Sequence, residues 1–340
     1  MSDLERVRCP RCRSEQSDVV LSGPDHLHQL PGEFFVAACR QCRLWFQNPR
    51  PPIDALASLY PDDYRPHVPA GGTSGGTPLL RASTARYLAA QLGYPAIQAL
   101  PEAGGFNWRA VRWLDPVRRW TVGVGLLPQF VPDGALLDIG CGNGSRLASL
   151  RQYGWRRLHG IELVAAAAAE ARANDLAVEC GPVESTLESH ADGSLDVVIS
   201  SMVLEHLPDP FAVVRRIAAK LKPGGQFLFS TVVRDSLDAR IYGKFWGGFD
   251  FPRHLVYFRR ADLDAMLTDH YEQAEYFYQA APVDFLRSSS WRRLAGERRI
   301  VDEVIVRLGS GIPQAAWLAG AVLAWLGKTS RVSCRCRRMA

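Results

Sequence analysis

"ALLDIGCGNGSRLASL", residues 135–150, passes from an apolar run through a glycine-rich turn into the first turns of a helical pattern. Ala135–Ile139 reads as a buried strand, because a short apolar run bounded by glycine is what a strand covered on both faces requires. Gly140, Gly142 and Gly144 follow in the spacing G-x-G-x-G. Lacking Cβ atoms, they let a ligand approach the backbone, and the helix that follows offers unpaired N–H groups. The spacing is neither the G-x-G-x-x-G of nicotinamide and flavin sites nor the G-x-x-x-x-G-K-[ST] of phosphate loops. A turn of this kind also occurs with a purely structural purpose, so its surroundings decide.

Downstream, strand signals at Arg157–Ile161, Leu176–Glu179, Asp196–Ser200, Gln226–Val233, Gln273–Tyr278 and Arg331–Cys336 alternate with helical patterns. The helical patterns cover Gly144–Tyr153, Ala165–Asn174, Pro210–Leu221 and Ala261–Asp269, and "LKPGG" is expected to close the third of them. Such alternation predicts an α/β fold, a doubly wound and mostly parallel Rossmann-like sheet, with a helical insertion at about 283–328. Asp138 stands just before the glycine turn and Glu162 ends the second strand. A carboxylate at that strand tip can accept hydrogen bonds from both hydroxyls of a ribose, or it can simply sit at a helix start.

Together "LLDIGCGNG", "GIEL", "LDVVISSMVLEHLPDP" and "LKPGGQFLFS" resemble, in order and spacing, the successive motifs of the class I S-adenosylmethionine-dependent methyltransferases. The resemblance covers residues 130–235 and extends more weakly beyond them. It implies a seven-stranded sheet with its last strand antiparallel and the cofactor at the carboxyl ends of the strands. Carried over by motif, it sets Asp138, Gly140, Gly142 and Gly144 along the methionine part of S-adenosylmethionine. Glu162 falls on the ribose, and Ser201 at the cofactor's edge.

Before this domain lie two C-x-x-C pairs, Cys9/Cys12 and Cys39/Cys42. Each pair can sit on a tight turn and supply two thiolates to one tetrahedral zinc, a structural site because four cysteines leave no open position. A redox use of C-x-x-C needs a βαβ context, which is missing here. His26 and His28 read as loop residues rather than ligands. The organisation expected is a zinc ribbon with its extension over 1–69, a flexible glycine-rich linker over 70–78, and the methyltransferase domain over 79–340. "CRQCRLWFQNPRPPIDALASLYPDDY" looks like the zinc-ribbon methyltransferases that modify sugars and other small metabolites.

Methyl transfer needs donor and acceptor held in line, and a hydroxyl or carbon acid must also lose a proton. His254, in "FWGGFDFPRHLVYF", and His206, in "LEHLPD", are the candidate catalytic residues. The first stretch resembles the Asp-x-Pro-Arg-His motif of the zinc-ribbon enzymes, near the acceptor. Asp250 is close enough in sequence to orient the His254 ring if the turn folds back. The aromatics from Phe245 to Phe258 are either core or an acceptor wall.

The whole chain has 340 residues, 47% hydrophobic, with a net charge of +5. Arg287 to Ala340 holds eleven Lys/Arg against three Asp/Glu. Such a segment attracts phosphates, nucleic acid or anionic lipid, or, more commonly, is a solvated face. Residues 312–327 are apolar but at 1.5 Å per residue too short for a hydrocarbon core of about 30 Å, so they read as a buried helix or a peripheral membrane contact. The amino terminus has no apolar signal-peptide run, and the thiol pattern suits a reducing cytoplasm. The expected function is methylation, at oxygen or carbon, of a small molecule or glycan precursor. The competing readings are an RNA methyltransferase and a non-catalytic zinc-ribbon interaction protein. Against the first, "SSMVLEH" lacks the Asn/Asp-Pro-Pro-Tyr/Phe signature of amine-directed base methylation, and nucleic-acid recognition patterning is missing.

Overall fold

The computed structural model of the chain describes residues 4–60, 92–94, 126–311 and 313–340, and for 308–318 only the course of the backbone. The expected linker at 70–78 lies outside the described residues.

Near the amino terminus, β1 (Ser17–Gly23), β2 (Phe34–Cys39) and β3 (Trp45–Gln47) form an antiparallel meander. The large sheet begins with β4 (Ala135–Ile139), every residue of which is buried. It continues through β5 (Arg157–Glu162), β6 (Ala177–Cys180), β7 (Leu195–Ser201) and β8 (Leu221–Val232). The two-residue β9 (Val256–Tyr257), then β10 (Tyr271–Tyr278) and β11 (Arg331–Arg338), complete the strands described. The seven-stranded order is β10-β11-β8-β7-β4-β5-β6. β8, β7, β4, β5 and β6 run parallel, and β11 is antiparallel to both of its neighbours, as expected. Strand order reverses beside β4, and it is at such a switch point that a doubly wound sheet leaves its ligand crevice.

The helices between these strands are α1 (Ser145–Gln152), α2 (Ala165–Ala173), α3 (Val183–Thr186), α4 (Pro210–Lys220), α5 (Leu237–Tyr242) and α6 (Arg260–Leu267). α4 shows why the sequence reads so clearly. Asp209 caps it through the Ala212 N–H, Pro210 occupies the first turn, and Val213, Val214 and Ile217 bury one stripe. Its end differs from expectation. The Pro-Gly-Gly turn lies inside β8, because Leu221 already pairs with Leu195 and the register shifts before Gln226 meets Val197. The turn is therefore a bulged strand start, with Gly224 at φ +73°.

Between β10 and β11 run α7 (Pro282–Leu294), α8 (Ile300–Gly311) and α9 (Pro313–Trp325), the helical segment expected near 283–328. Ala321 and Ala324 of α9 are buried, whereas Val322 and Trp325 are 50% and 72% exposed. Thus the described part of this apolar helix is buried along one side only. No described helix is long and apolar enough to cross a membrane.

Sequence spacing suggests an amino-terminal unit separated by a linker, but the structure sews it to the large domain. The partner of β3 is β9, with Trp45 opposite Tyr257 and Phe46 opposite Val256. Cys9, Cys39, Leu44, Phe46, Leu56 and Leu59 share one apolar core with the large sheet. A guanidinium with no exposed surface, that of Arg253, bridges Asp25 and Asp250 at 2.8 and 2.7 Å. Asp25 and Gln47 belong to the amino-terminal segment, and the Gln47 Nε2 donates to the His254 carbonyl over 2.8 Å.

Candidate functional site

A cavity of about 800 Å³ opens at the carboxyl ends of β4, β5 and β7. The glycine turn forms one wall. At Gly140, φ is +69° and a Cβ would lie 2.4 Å from the Val203 Cγ2, so neither backbone nor space admits a side chain. Gly144, at φ +79°, packs against Leu176 and Ala171 and caps α1; it shapes the turn without lining the cavity. Asp138, Gly140, Gly142, Glu162 and Ser201 do line it.

Glu162 is 4% exposed, and its carboxylate accepts the Gly142 and Val164 N–H groups, each at 2.8 Å. One bond ties the strand tip to the glycine turn, the other to the start of α2. A carboxylate has about four lone-pair positions and only accepts, which is the chemistry the paired hydroxyls of a ribose require. Asp138 is buried, and that burial pushes its carboxyl up, opposed by Arg146, whose Nη1 lies 3.2 Å away. Ser201 Oγ shares a 3.1 Å hydrogen bond with Ser230 Oγ. These residues fit a polar adenosyl donor: a backbone cradle free of Cβ atoms, with acidic groups at its rim.

The opposite wall is built by the loop before β9. His254, 5% exposed, donates from Nδ1 to the Gly248 carbonyl over 2.8 Å. A carbonyl only accepts, so Nδ1 carries the proton and a neutral ring keeps its lone pair on Nε2. Asp250 therefore does not orient this ring through its carboxylate. Its Oδ1 takes the Arg253 Nε and Nη2 instead, at 2.9 and 2.7 Å. Burial would raise the Asp250 carboxyl, but His254 and Arg253 outweigh it and hold the group below the usual range.

His206 packs edge-on against His254, with ring centroids 4.6 Å apart. Its Nδ1 lies 3.0 Å from both the Arg253 carbonyl and the Tyr60 hydroxyl. Enclosure, together with the neighbouring His254, pushes His206 down to about 3, so it stays neutral near pH 7 and is a weak base. Behind the pair, Glu205 is fully buried and burial raises its carboxyl, while Oε2 accepts from Thr231 Oγ1 over 2.8 Å. Ligand atoms of Glu205, His206 and His254 lie within 4.8 Å of one another.

Sequence reasoning missed Glu205, Arg253 and Tyr60 as parts of this wall. Glu205 and Arg253 stand next to the candidate histidines, and Arg253 and Tyr60 lie within quoted motifs, but nothing in the local pattern says that they meet here. The aromatics Phe245, Trp246, Phe249, Phe251 and Tyr257 turn out to be core, packed on Phe34 and Val36 of β2.

The four ribbon cysteines converge as their spacing predicts. Cys9 and Cys42 sulfurs lie 3.5 Å apart, Cys12 and Cys39 3.4 Å, and all four fall within 4.8 Å. After each pair the chain turns through a positive φ of 63°, at Arg13 and Arg43. The Arg13 and Arg43 N–H groups close the two turns onto the Cys9 and Cys39 carbonyls. Four converging thiols on two matched turns fit a structural zinc. His26 is not part of the cluster; its ring stacks on Trp291 at 5.0 Å.

Sheet order, glycine turn and strand-tip carboxylate stand where the resemblance to the S-adenosylmethionine-dependent methyltransferases implies them. Residues 108–270 match the family model described as a methyltransferase domain. Among curated proteins it is 38% identical over 109 residues to the ubiquinone biosynthesis O-methyltransferase of Serratia proteamaculans, covering 31% of this chain and 45% of that protein. The enzyme of the same name from Cronobacter sakazakii is 40% identical over 106 residues, 30% of this chain and 43% of its own. The chain thus spans less than half the length of these relatives. A solved S-adenosylmethionine-dependent methyltransferase from Mesorhizobium loti aligns with 65% of this chain and 97% of its own at 17% identity and a TM-score of 0.42.

Proposed function

We propose that the protein transfers a methyl group from S-adenosylmethionine to oxygen or carbon of a small-molecule or glycan-precursor acceptor. The observation carrying this reading is that one cavity holds both the Glu162-braced glycine turn and a histidine whose Nε2 makes no hydrogen bond among the described residues. S-adenosylmethionine, when bound, supplies an electrophilic methyl on a sulfonium. Glu162 binds the ribose, and Gly140, Gly142 and Asp138 receive the remainder of the donor. His254 takes the acceptor's proton at Nε2, held in that tautomer by the Gly248 carbonyl. His206, neutral throughout the working range, packs beside it and fixes the ring's position with Tyr60. Apolar side chains such as Leu56 and Leu207 line the same cavity.

The relatives' names support an oxygen acceptor on a small molecule, since both are O-methyltransferases. A structural zinc in the Cys9–Cys12–Cys39–Cys42 cluster holds the turns on which β2 and β3 depend. The test has two parts. S-adenosylhomocysteine should bind the purified chain in titration calorimetry, and methyl-labelled donor should label an acceptor among phenols, nucleotide sugars and lipid-linked sugars. Absence of cofactor binding would overturn the reading. Labelling of RNA alone would move it to the nucleic-acid class.

A further inference from the structure

Charge along the cavity is mixed. Asp138 and Glu162 line it at the glycine turn, with Arg146 against Asp138, and Glu184 lines it as well; its lining also includes Asp250, which Arg253 holds, and Arg287 and Arg331 with Asp284. Asp284 and Arg287 are three residues apart on α7 and so share one face of it. Arg331 grips both Asp284 oxygens, Nε at 2.7 Å and Nη2 at 2.9 Å, so that carboxylate's charge is matched by its own partner. Arg287 has no such match. Among the described residues no carboxylate lies within ion-pair distance of it, and the contact recorded for its guanidinium is the Trp291 ring at 6.0 Å. It is nevertheless half-buried in the cavity wall. A half-buried arginine with no carboxylate in ion-pair reach among the described residues favours an anion with oxygens in a plane or fork, as carboxylates and phosphates have.

Its place relative to the candidate base follows from two neighbouring glycines. A Cβ built on Gly247 would lie 3.4 Å from the Arg287 Cδ, and the next residue, Gly248, holds the His254 Nδ1. The guanidinium stem and the imidazole thus flank the same two-residue loop. We propose that Arg287 is the anchor for an anionic group of the acceptor, a phosphate or a carboxylate, carried beyond the atom that faces His254. This rests on the methyltransferase reading above and names the acceptor's class, which is anionic.

Titration calorimetry on the full chain tests it, with uridine diphosphate and benzoate as the phosphate and carboxylate probes, each with and without saturating S-adenosylhomocysteine. At least one probe should bind. Arg287→Gln should weaken that binding tenfold or more, Arg287→Lys should weaken it less, and rising salt should weaken the unsubstituted protein most. S-adenosylhomocysteine affinity should be the same in all three proteins. If neither probe binds, or the Gln variant binds equally well, Arg287 is no anion anchor. Equal loss of S-adenosylhomocysteine binding in the Gln variant would assign Arg287 to the donor and overturn the proposal. Should S-adenosylhomocysteine fail to bind the unsubstituted chain, the methyltransferase reading falls, while the titrations without it still decide the role of Arg287.

Discussion

Replacing Asp25 by Ala should destabilise the protein out of proportion to its distance from the cavity. Asp25 has a fully buried side chain, and its two oxygens take Arg253 Nη2 at 2.8 Å and Nη1 at 3.1 Å. The same carboxylate accepts the Leu27, His28 and Leu30 N–H groups at 2.9, 3.1 and 3.4 Å, closing the turn after β1. Removing one partner of a buried pair costs about 3–5 kcal/mol, because the other charge is left uncompensated. Arg253 would still hold Asp250, which argues for the lower end, about 3 kcal/mol. The lost turn hydrogen bonds add about 1 kcal/mol for each of the two short ones and less for the long one from Leu30, but water entering the gap replaces a large part of this. A loss of about 4 kcal/mol is therefore expected, read as a drop in the urea midpoint with tryptophan fluorescence. Asp25→Asn keeps acceptor geometry for the turn and should lose less, about 2–3 kcal/mol from the charge alone. Because Arg253 also sets the loop carrying His254, turnover should fall in both variants even where they are folded. A loss below about 1 kcal/mol in the Ala variant would refute the claim that this ion pair joins the two parts.

Other outcomes follow from the same geometry. Purified protein should carry one zinc per chain by elemental analysis, lost in Cys39→Ser; since β3 pairs with β9, that variant should also melt earlier and turn over more slowly, whereas an unchanged melting point would separate the ribbon from the site. Glu162→Ala should weaken S-adenosylhomocysteine binding by roughly 2–4 kcal/mol through lost charge-assisted ribose bonds and a loosened glycine turn, and equal affinity in calorimetry would remove it from the donor site. His254→Ala should lower kcat by about 10²–10⁴-fold with donor affinity nearly constant, and His254→Gln should be almost as slow; near-normal turnover in the Gln variant would leave His254 a structural role. Glu205 has a folded pKa above its unfolded one, so the folded state binds the proton more tightly and this group's contribution declines as pH rises above the usual carboxylate range. Glu205→Gln should accordingly gain stability relative to the unsubstituted protein between pH 4 and pH 7 in thermal melts, and a gap that stays flat with pH would show the carboxyl is not strained by burial.

The half of the cavity proposed for the donor is local in sequence, and that is why its residues can be picked out there. A parallel strand buried on both faces is a continuous apolar run, so Ala135–Ile139 and Asp196–Ser200 announce themselves, and the cap and stripe of α4 do the same. Gly140, Gly142 and Glu162 follow from positions at strand tips, which the βα alternation fixes. The cysteine cluster was equally legible, because C-x-x-C is a local turn and four thiols in two such turns have few other uses. Tertiary structure alone decided the acceptor half. Nothing adjacent in the chain tells Gln47 to hold the His254 carbonyl, or Asp25 to meet Arg253 across 228 residues. The short β9 could not be seen either, since a two-residue strand has no period, and its pairing with β3 turned an expected separate ribbon into part of the domain. Asp250 was close enough in sequence to orient His254, yet the buried guanidinium of Arg253 claimed its carboxylate and left a backbone carbonyl to orient the ring. The unmatched charge of Arg287 was hidden for the same reason. Whether an arginine is matched depends on which carboxylate folds beside it, and only the structure gives Asp284 to Arg331 rather than to Arg287.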